Sequence, residues 1–551
     1  MNENIKLVII GGVAAGASTA ARARRLSETA EITLIEKGQY VSFANCGLPY
    51  HIGGVIPERR SLLVQTPASL KARFNINVLT ETEATIINRS SRTVTLKNLK
   101  AGTESEMKYD KLVLSTGALA FKPPIPGIDI ASVFTLQTLN DLDDIMKHIA
   151  GKETKTAVVI GGGFIGLEAA ENLVHKGVNV TLIEADKQVM PPMDHEMAAL
   201  LHKHLSDNGI NLLLNKKVTG ISEKNGITSV YTDDGLSIET GMVILSIGVR
   251  PRSELAKAAG LDIGVTGGIH VNDKLQTSDP DIYAAGDVIE IVNPISGLPG
   301  FVPLAGPANR QGRIAADQIF GHDSRYRGTI GTSICRVFDL SAGVVGCNEK
   351  YLKKNNITYE KAIIHAANHA TYYPGASIIT FKLLFKPDTG AILGAQAVGA
   401  DGVDKRIDVI STAIAGRLTV FDLEHLELAY APPYGSAKDP VNLIGFVASN
   451  IIRKDHKIIH AEEIKSIDPG SSLLLDVRTA SEFRYGHIPG AVNIPVDELR
   501  QRMNELPSDK KILINCQVGL RGYVAQRMLT LSGFDAVNMP GGYRSWTIIN
   551  N

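Results

Sequence analysis

The chain has 551 residues, several times a typical domain of roughly 100–200, so three to five domains are expected. Lys plus Arg and Asp plus Glu both number 57, and the resulting zero net charge argues against nucleic acid or an anionic membrane as partner. No apolar stretch has the length of a signal peptide or of a membrane span of roughly 20 residues, so no membrane contact and a cytoplasmic protein are expected.

Residues 7–10 are short, apolar and β-branched, and glycines follow them, which predicts a buried parallel strand. The loop Gly11-Gly12-Val13-Ala14-Ala15-Gly16 leads into a helix pattern over 14–26, and Glu36 lies twenty residues beyond Gly16. Such a loop lets the backbone approach a pyrophosphate, which the N–H groups and dipole of the helix N-terminus then stabilise. On that helix Ser18, Arg22 and Arg25 are spaced four and three apart, so they share a face that would suit a phosphate-bearing ligand. The pattern recurs as a strand over 158–160, the loop Gly161-Gly-Gly163-Phe-Ile165-Gly166, a helix over 165–176 and Glu184. This second loop satisfies G-x-G-x-x-G in full, and Glu184 stands where a carboxylate would accept ribose hydroxyls. Its charge would repel a 2′-phosphate, which favours NADH over NADPH. A helix over 196–208 and a strand over 242–245 continue the βαβ alternation to about residue 320. From about Thr329 strands persist without glycine loops, and the polar run 453–457 precedes a fresh βα pattern starting at Leu473.

The segment 277–287, ending Ala-Gly286-Asp287, and the strand ends Ser115-Thr-Gly117 and Ser246-Ile-Gly248 resemble the two-dinucleotide-binding flavoproteins. That resemblance implies FAD held by Gly11, Gly12, Ala15, Gly16, Glu36, Lys37, Ser115, Gly117, Gly286, Asp287 and Pro303. It also implies NAD(P)H held by Gly161, Gly163, Ile165, Gly166, Glu184 and Gly248.

Four cysteines, at 46, 335, 347 and 516, are too few and too scattered for a disulfide scaffold. Cys46, in Ser-Phe-Ala-Asn-Cys-Gly-Leu-Pro-Tyr over 42–50, stands where disulfide reductases place flavin-facing cysteines. His51 occupies the position where glutathione-reductase-like enzymes carry the second cysteine, so Cys46 must work alone, as a mixed disulfide or a sulfenic acid. The segment is similar to that of coenzyme A-disulfide reductases. With it, the face of Ser18, Arg22 and Arg25 is read as a coenzyme A contact, and the resemblance adds Ser42, Asn45, Lys71 and Lys438, with Arg73 near one of them and Asn309 where some relatives have histidine. It further implies a homodimer in which Tyr372 and Tyr430 reach the partner subunit's site. Cys335 and Cys347 lie without neighbouring motifs and are read as structural, and no metal site is expected.

The segments Asp476-Val-Arg478, Glu482-Phe, Gly486-His-Ile-Pro-Gly and Cys516-Gln-Val-Gly-Leu-Arg521 resemble a rhodanese domain. The loop after Cys516 can turn its N–H groups inward to stabilise a thiolate or persulfide, with Arg521 adding charge. The expected class is α/β: an FAD domain over 1–150 and 251–325, an NAD(P)H domain over 151–250, an α+β dimerisation domain over 326–450, a linker over 451–462 and a rhodanese domain over 463–551. The expected activity is reduction of coenzyme A disulfide, coenzyme A persulfide or polysulfide by NAD(P)H through Cys46, with Cys516 handling sulfane sulfur. The alternatives are an NADH oxidase or peroxidase working through a Cys46 sulfenic acid, and a rhodanese domain that serves only as a docking or sensing module.

Overall fold

The computed structural model describes residues 4–152 and 154–550. The chain forms two compact units, Met1–Lys187 with Gly209–Gly331, and Gln188–Asn208 with Thr332–Asn551.

In the first unit two five-stranded parallel sheets repeat one plan. One runs in the order Ile282–Ala284, Lys111–Leu114, Lys6–Ile10, Glu31–Ile35, Asn77–Leu79. The other runs Asn211–Leu213, Asn179–Ile183, Thr156–Ile160, Met242–Leu245, Val133–Phe134. Their central pairs share a register, Lys6↔Glu31 through Ile10↔Ile35 in one and Thr156↔Asn179 through Ile160↔Ile183 in the other. In each, the strand before the glycine loop, Lys6–Ile10 or Thr156–Ile160, has strands later in the chain on both sides, so each glycine loop opens at the switch point where doubly wound sheets bind ligands. Helices Ala14–Leu26 and Phe164–His175 follow the two loops. Helix Ala305–Ile319 lies so close to Ala14–Leu26 that a Cβ on Gly312 would fall 2.3 Å from the Ala15 carbonyl oxygen. After Gly286-Asp287 the short hairpin of Ile291–Val292 and Pro299–Gly300 leads to helix Ala305–Ile319.

The second unit holds a five-stranded antiparallel sheet in the order Ser333–Val337, Leu340–Gly346, Ile392–Gly399, Ile378–Phe385, Glu360–Ala367. It also holds a four-stranded parallel sheet, Val492–Asn493, Ser472–Asp476, Lys511–Asn515, Ala536–Asn538. Two features depart from the sequence reading. Helix His195–Asp207, expected within the 151–250 domain, belongs to the second unit, where the buried Lys382 ammonium bonds Asp194, Glu196 and Glu349. The segment read as a linker is partly built into the C-terminal sheet. There the Asn538 N–H donates to the Lys457 carbonyl (2.9 Å) and the Ile459 N–H to the Asn538 carbonyl (3.0 Å), while buried His456 accepts from Asn538 Nδ2 at 2.8 Å. Among the described residues no helix is long and apolar enough to cross a membrane.

Candidate functional site: two dinucleotide loops and two cysteines

Each glycine loop is shaped so that little besides backbone fits. Gly11 has φ +100°, and a Cβ there would meet the Ser115 carbonyl oxygen at 2.1 Å; one on Gly16 would lie 1.8 Å from the Gly11 oxygen. In the second loop Gly161 has φ +103°, and a Cβ on Gly166 would lie 1.9 Å from its carbonyl oxygen. Neither following helix has a side-chain cap at its N-cap, Val13 or Gly163, which leaves N–H groups available to a pyrophosphate. The carboxylates sit alike as well. Glu36 accepts from the Gly12 N–H (2.8 Å) and Gly38 N–H (2.7 Å), and Glu184 from the Gly162 N–H (2.7 Å) and Asp186 N–H (2.9 Å).

Beside the first loop, Gly286 (φ +88°) donates to Gln311 Oε1 at 2.7 Å, and burial raises the Asp287 carboxyl to about 6. Ser115 Oγ is buried without a hydrogen-bond partner, and Gly117 is left-handed at φ +70°. Crowded glycines, an uncapped helix and an orphaned hydroxyl fit a bound dinucleotide. Lys37 instead pairs with Glu83 on the surface (2.8 Å), Pro303 and Ile165 are exposed, and Gly248 (φ +102°) accepts from the Phe121 N–H.

Cys46 is exposed, in the single turn Asn45–Gly47 that runs into helix Leu48–Ile52. Ser42 ties this segment to the first loop: its N–H donates to the Gly12 carbonyl (2.8 Å), and it takes the left-handed φ of 47° that is uncommon outside glycine. Asn45 Oδ1 accepts from the Cys46 N–H at 3.1 Å and lies 3.8 Å from Sγ. Partial desolvation of the sulfur raises the thiol pKa, and the nearby charges of Glu168 and Asp287 raise it further. Glu168, which the sequence reading missed, accepts a 3.1 Å hydrogen bond from the Tyr50 hydroxyl. Only its spacing on the helix after the second glycine loop could have pointed to it.

Two residues of the expected cationic face have partners within the chain. Arg22 pairs with Asp317 at 2.7 Å, so its charge is already balanced, and Ser18 donates to Asn309 Oδ1 at 2.5 Å; Arg25 remains exposed. The cause is helix Ala305–Ile319, whose side chains meet that face. Lys71 is exposed and bonds Asn75 at the end of helix Pro67–Phe74, and Arg73 is also exposed.

In the second unit, Cys516 is 1% exposed and follows strand Lys511–Asn515. Its Sγ accepts from the Gly519 N–H at 3.1 Å, where φ is +102°, and helix Leu520–Leu531 starts one residue later. Arg521 does not turn its fork to the sulfur: both of its terminal nitrogens bond Glu482 (2.8 and 2.7 Å) and pull that carboxyl down to about 2. The loop is set instead by buried Arg478, which pairs with Asp476, bonds Gln517 Oε1 (3.2 Å) and the Gly486 carbonyl (2.7 Å), and lies over the Tyr543 ring. From behind, the Tyr543 N–H donates to the Cys516 carbonyl at 2.6 Å.

Elsewhere in this unit Tyr372 and Tyr430 are exposed with hydroxyls 2.9 Å apart, Lys438 is exposed, and Cys335 and Cys347 are buried. Asp194, Glu196 and Glu349 gather as metal ligands would, but the Lys382 ammonium sits among them.

The fold and its paired glycine loops define a dinucleotide-dependent redox protein in which Cys46 is exposed and Cys516 is buried. Residues 5–312 match the family model described as "Pyridine nucleotide-disulphide oxidoreductase", 332–439 that family's dimerisation domain and 460–548 a "Rhodanese-like domain". The chain belongs to the pyridine nucleotide-disulphide oxidoreductase family. It is 37% identical over 447 residues to a coenzyme A disulfide reductase of Staphylococcus haemolyticus, covering 81% of this chain and all of that one. The crystal structure of reduced Bacillus anthracis CoADR-RHD superposes with a TM-score of 0.97 at 50% identity, covering 99% of this chain and 98% of that one. An NAD-dependent persulfide reductase from A. fulgidus gives 0.93 at 40%, covering 98% of this chain and all of that one.

Proposed function

We propose that this chain is an FAD-dependent reductase that takes electrons from NADH and delivers them through Cys46 to coenzyme A disulfide, coenzyme A persulfide or polysulfide. Its rhodanese domain handles sulfane sulfur at Cys516. One observation carries this reading: Cys46 is an exposed thiol joined through Ser42 to the first dinucleotide loop, with His51 where a disulfide partner would stand. A lone thiol in such a place can hold a mixed disulfide with a small thiol.

Gly11, Gly12, Ala15, Gly16, Glu36, Ser115, Gly286 and Asp287 would hold FAD, which when bound supplies two-electron transfer between a nicotinamide and sulfur. Gly161, Gly163, Gly166 and Glu184 would hold the nicotinamide dinucleotide, and the Glu184 carboxylate favours NADH. Ser42 and Asn45 flank the thiol, while exposed Arg25 and Lys71 supply cations for the phosphates of coenzyme A. The match to the family's dimerisation domain supports a homodimer, in which the exposed Tyr372 and Tyr430 pair would serve the partner subunit's Cys46. The names of the Staphylococcus, Bacillus and A. fulgidus proteins support coenzyme A disulfide and persulfides as acceptors.

Intact mass of the purified protein under non-reducing conditions tests the reading. A coenzyme A adduct that disappears in Cys46→Ser is the expected result. A one-oxygen increment alone, with rapid NADH consumption by oxygen or peroxide and none by coenzyme A disulfide or persulfide, would establish the oxidase alternative instead.

A further inference from the structure

We propose that His365, on the antiparallel sheet of the second unit, is a positioning residue for the Cys516 loop: through Ser545 it fixes the glycine turn against which the sulfur-binding Gly519 N–H is set. This rests on the reading of Cys516 as the carrier of sulfane sulfur. His365 lies on strand Glu360–Ala367, outside residues 460–548 that match the rhodanese-like domain, whereas Ser545 lies inside them, on helix Gly542–Asn550. Both are buried, and the imidazole has Nδ1 3.0 Å from Thr380 Oγ1 and Nε2 2.9 Å from Ser545 Oγ. A neutral ring donates through one nitrogen and accepts through the other, and each hydroxyl can meet either role. Burial and the neighbouring Arg544 charge keep the ring neutral.

Two successive glycines carry the constraint from Ser545 to the cysteine. Gly541 and Gly542 both take left-handed φ, +74° and +60°. A Cβ on Gly541 would fall 2.0 Å from Ser545 Oγ and 3.2 Å from His365 Nε2, and one on Gly542 would fall 2.2 Å from the Cys516 carbonyl oxygen. The turn is therefore held between the histidine–serine pair on one side and the cysteine loop on the other. The Ser545 N–H closes it by donating to the Gly541 carbonyl at 3.2 Å.

The cysteine loop rests on this turn along its length. A Cβ on Gly519 would lie 2.9 Å from the Gly541 nitrogen, so the two backbones are in contact. The Tyr543 N–H donates to the Cys516 carbonyl at 2.6 Å and the Arg544 N–H to the Gln517 carbonyl at 3.1 Å. At the other face of the loop, the Gly519 N–H donates to Cys516 Sγ at 3.1 Å. Loss of the bond at His365 frees Ser545 Oγ to turn away from Gly541, and the donor that faces the sulfur moves with the turn. A side chain from a different domain thereby sets the geometry of the sulfur carrier.

The test compares the full-length parent with Ser545→Ala, His365→Gln and His365→Asn. Glutamine keeps a polar group at the place of Nε2, toward Ser545, whereas asparagine keeps one only at the place of Nδ1, toward Thr380. Ser545→Ala and His365→Asn should lower kcat for sulfur transfer from thiosulfate to cyanide about tenfold with KM for thiosulfate little changed, because a displaced donor no longer meets the sulfur. His365→Gln should keep most of the parent's kcat, and Ser545→Ala combined with His365→Asn should be no slower than either alone. Amide hydrogen exchange over residues 516–522 should quicken in the two impaired variants, while strand Ser472–Asp476 keeps the parent's protection. The parent's kcat in Ser545→Ala, the parent's exchange over 516–522, or equal loss in His365→Gln and His365→Asn would each overturn the proposal. Ser545→Ala decides it even where the histidine variants do not fold. If the parent transfers no sulfur, the reading of Cys516 fails while the exchange profiles still judge His365.

Discussion

Arg521 illustrates how a side chain's role depends on a neighbour distant in sequence. Its spacing from Cys516 is plain in the chain, but Glu482, thirty-nine residues away, binds its fork, so the Gly519 N–H is the group that bonds the sulfur. Asp476 and Arg478 stand out in the sequence as part of a motif; that Arg478 reaches Gln517 and Gly486 is known only from the fold. His456 gives a pH prediction at this scale. It is buried, accepts from Asn538 and packs at a tilt against the Tyr523 ring, and burial depresses its pKa from about 6.5 to about 4. The folded state thus holds it neutral while the unfolded chain protonates it below about 6.5. Its contribution is complete above that value and shrinks as pH falls toward 4, by up to about 3 kcal/mol. His365, held down to about 3, adds to the same slope. Trp546, the chain's one tryptophan, lies in the C-terminal helix and reports on this domain. Urea midpoints followed by its fluorescence should fall between pH 6.5 and 4.5, with a shallower slope in His456→Gln. Equal slopes would remove His456 from this account.

Among elements, the two strand–loop–helix repeats were readable because glycine spacing is a local property: Gly11 and Gly161 need positive φ, and Gly16 and Gly166 need contact with a carbonyl oxygen. The face of helix Ala14–Leu26 was not readable. Helical spacing correctly places Ser18, Arg22 and Arg25 together, yet which of them meets solvent depends on helix Ala305–Ile319, nearly three hundred residues on. Gly312 sets how near the two helices come. Gly312→Val would drive a side chain into the Ala15 carbonyl oxygen (2.3 Å) and Thr19 Oγ1 (3.0 Å), and should lose about 1–3 kcal/mol with weaker flavin retention. Tm and the ratio of flavin to protein absorbance measure both effects, and a variant with the parent's Tm would refute the packing argument.

For the molecule as a whole, the chain passes into the second unit at Gln188 and returns at Gly209, and the buried cluster around Lys382 secures that excursion. Burial works against the Lys382 charge, but Glu196, Asp194 and Glu349 outweigh it and keep the ammonium above the ordinary lysine range. Lys382→Met would leave three carboxylates gathered without their cation and should lower stability by about 3–5 kcal/mol, seen as a lower urea midpoint. A variant as stable as the parent would mean that the carboxylates relax to water without cost. By itself the sequence determined the α/β class, the two dinucleotide loops and the candidate cysteines at 46 and 516, because glycine spacing, β-branched runs and short motifs act within a few residues. Only the tertiary structure decided that Glu168 meets Tyr50, that Arg22 is neutralised by Asp317, and that residues 195–207 join the second unit. Those pairings link residues far apart in the chain, and burial, which sets their charge states, exists only once the chain has folded.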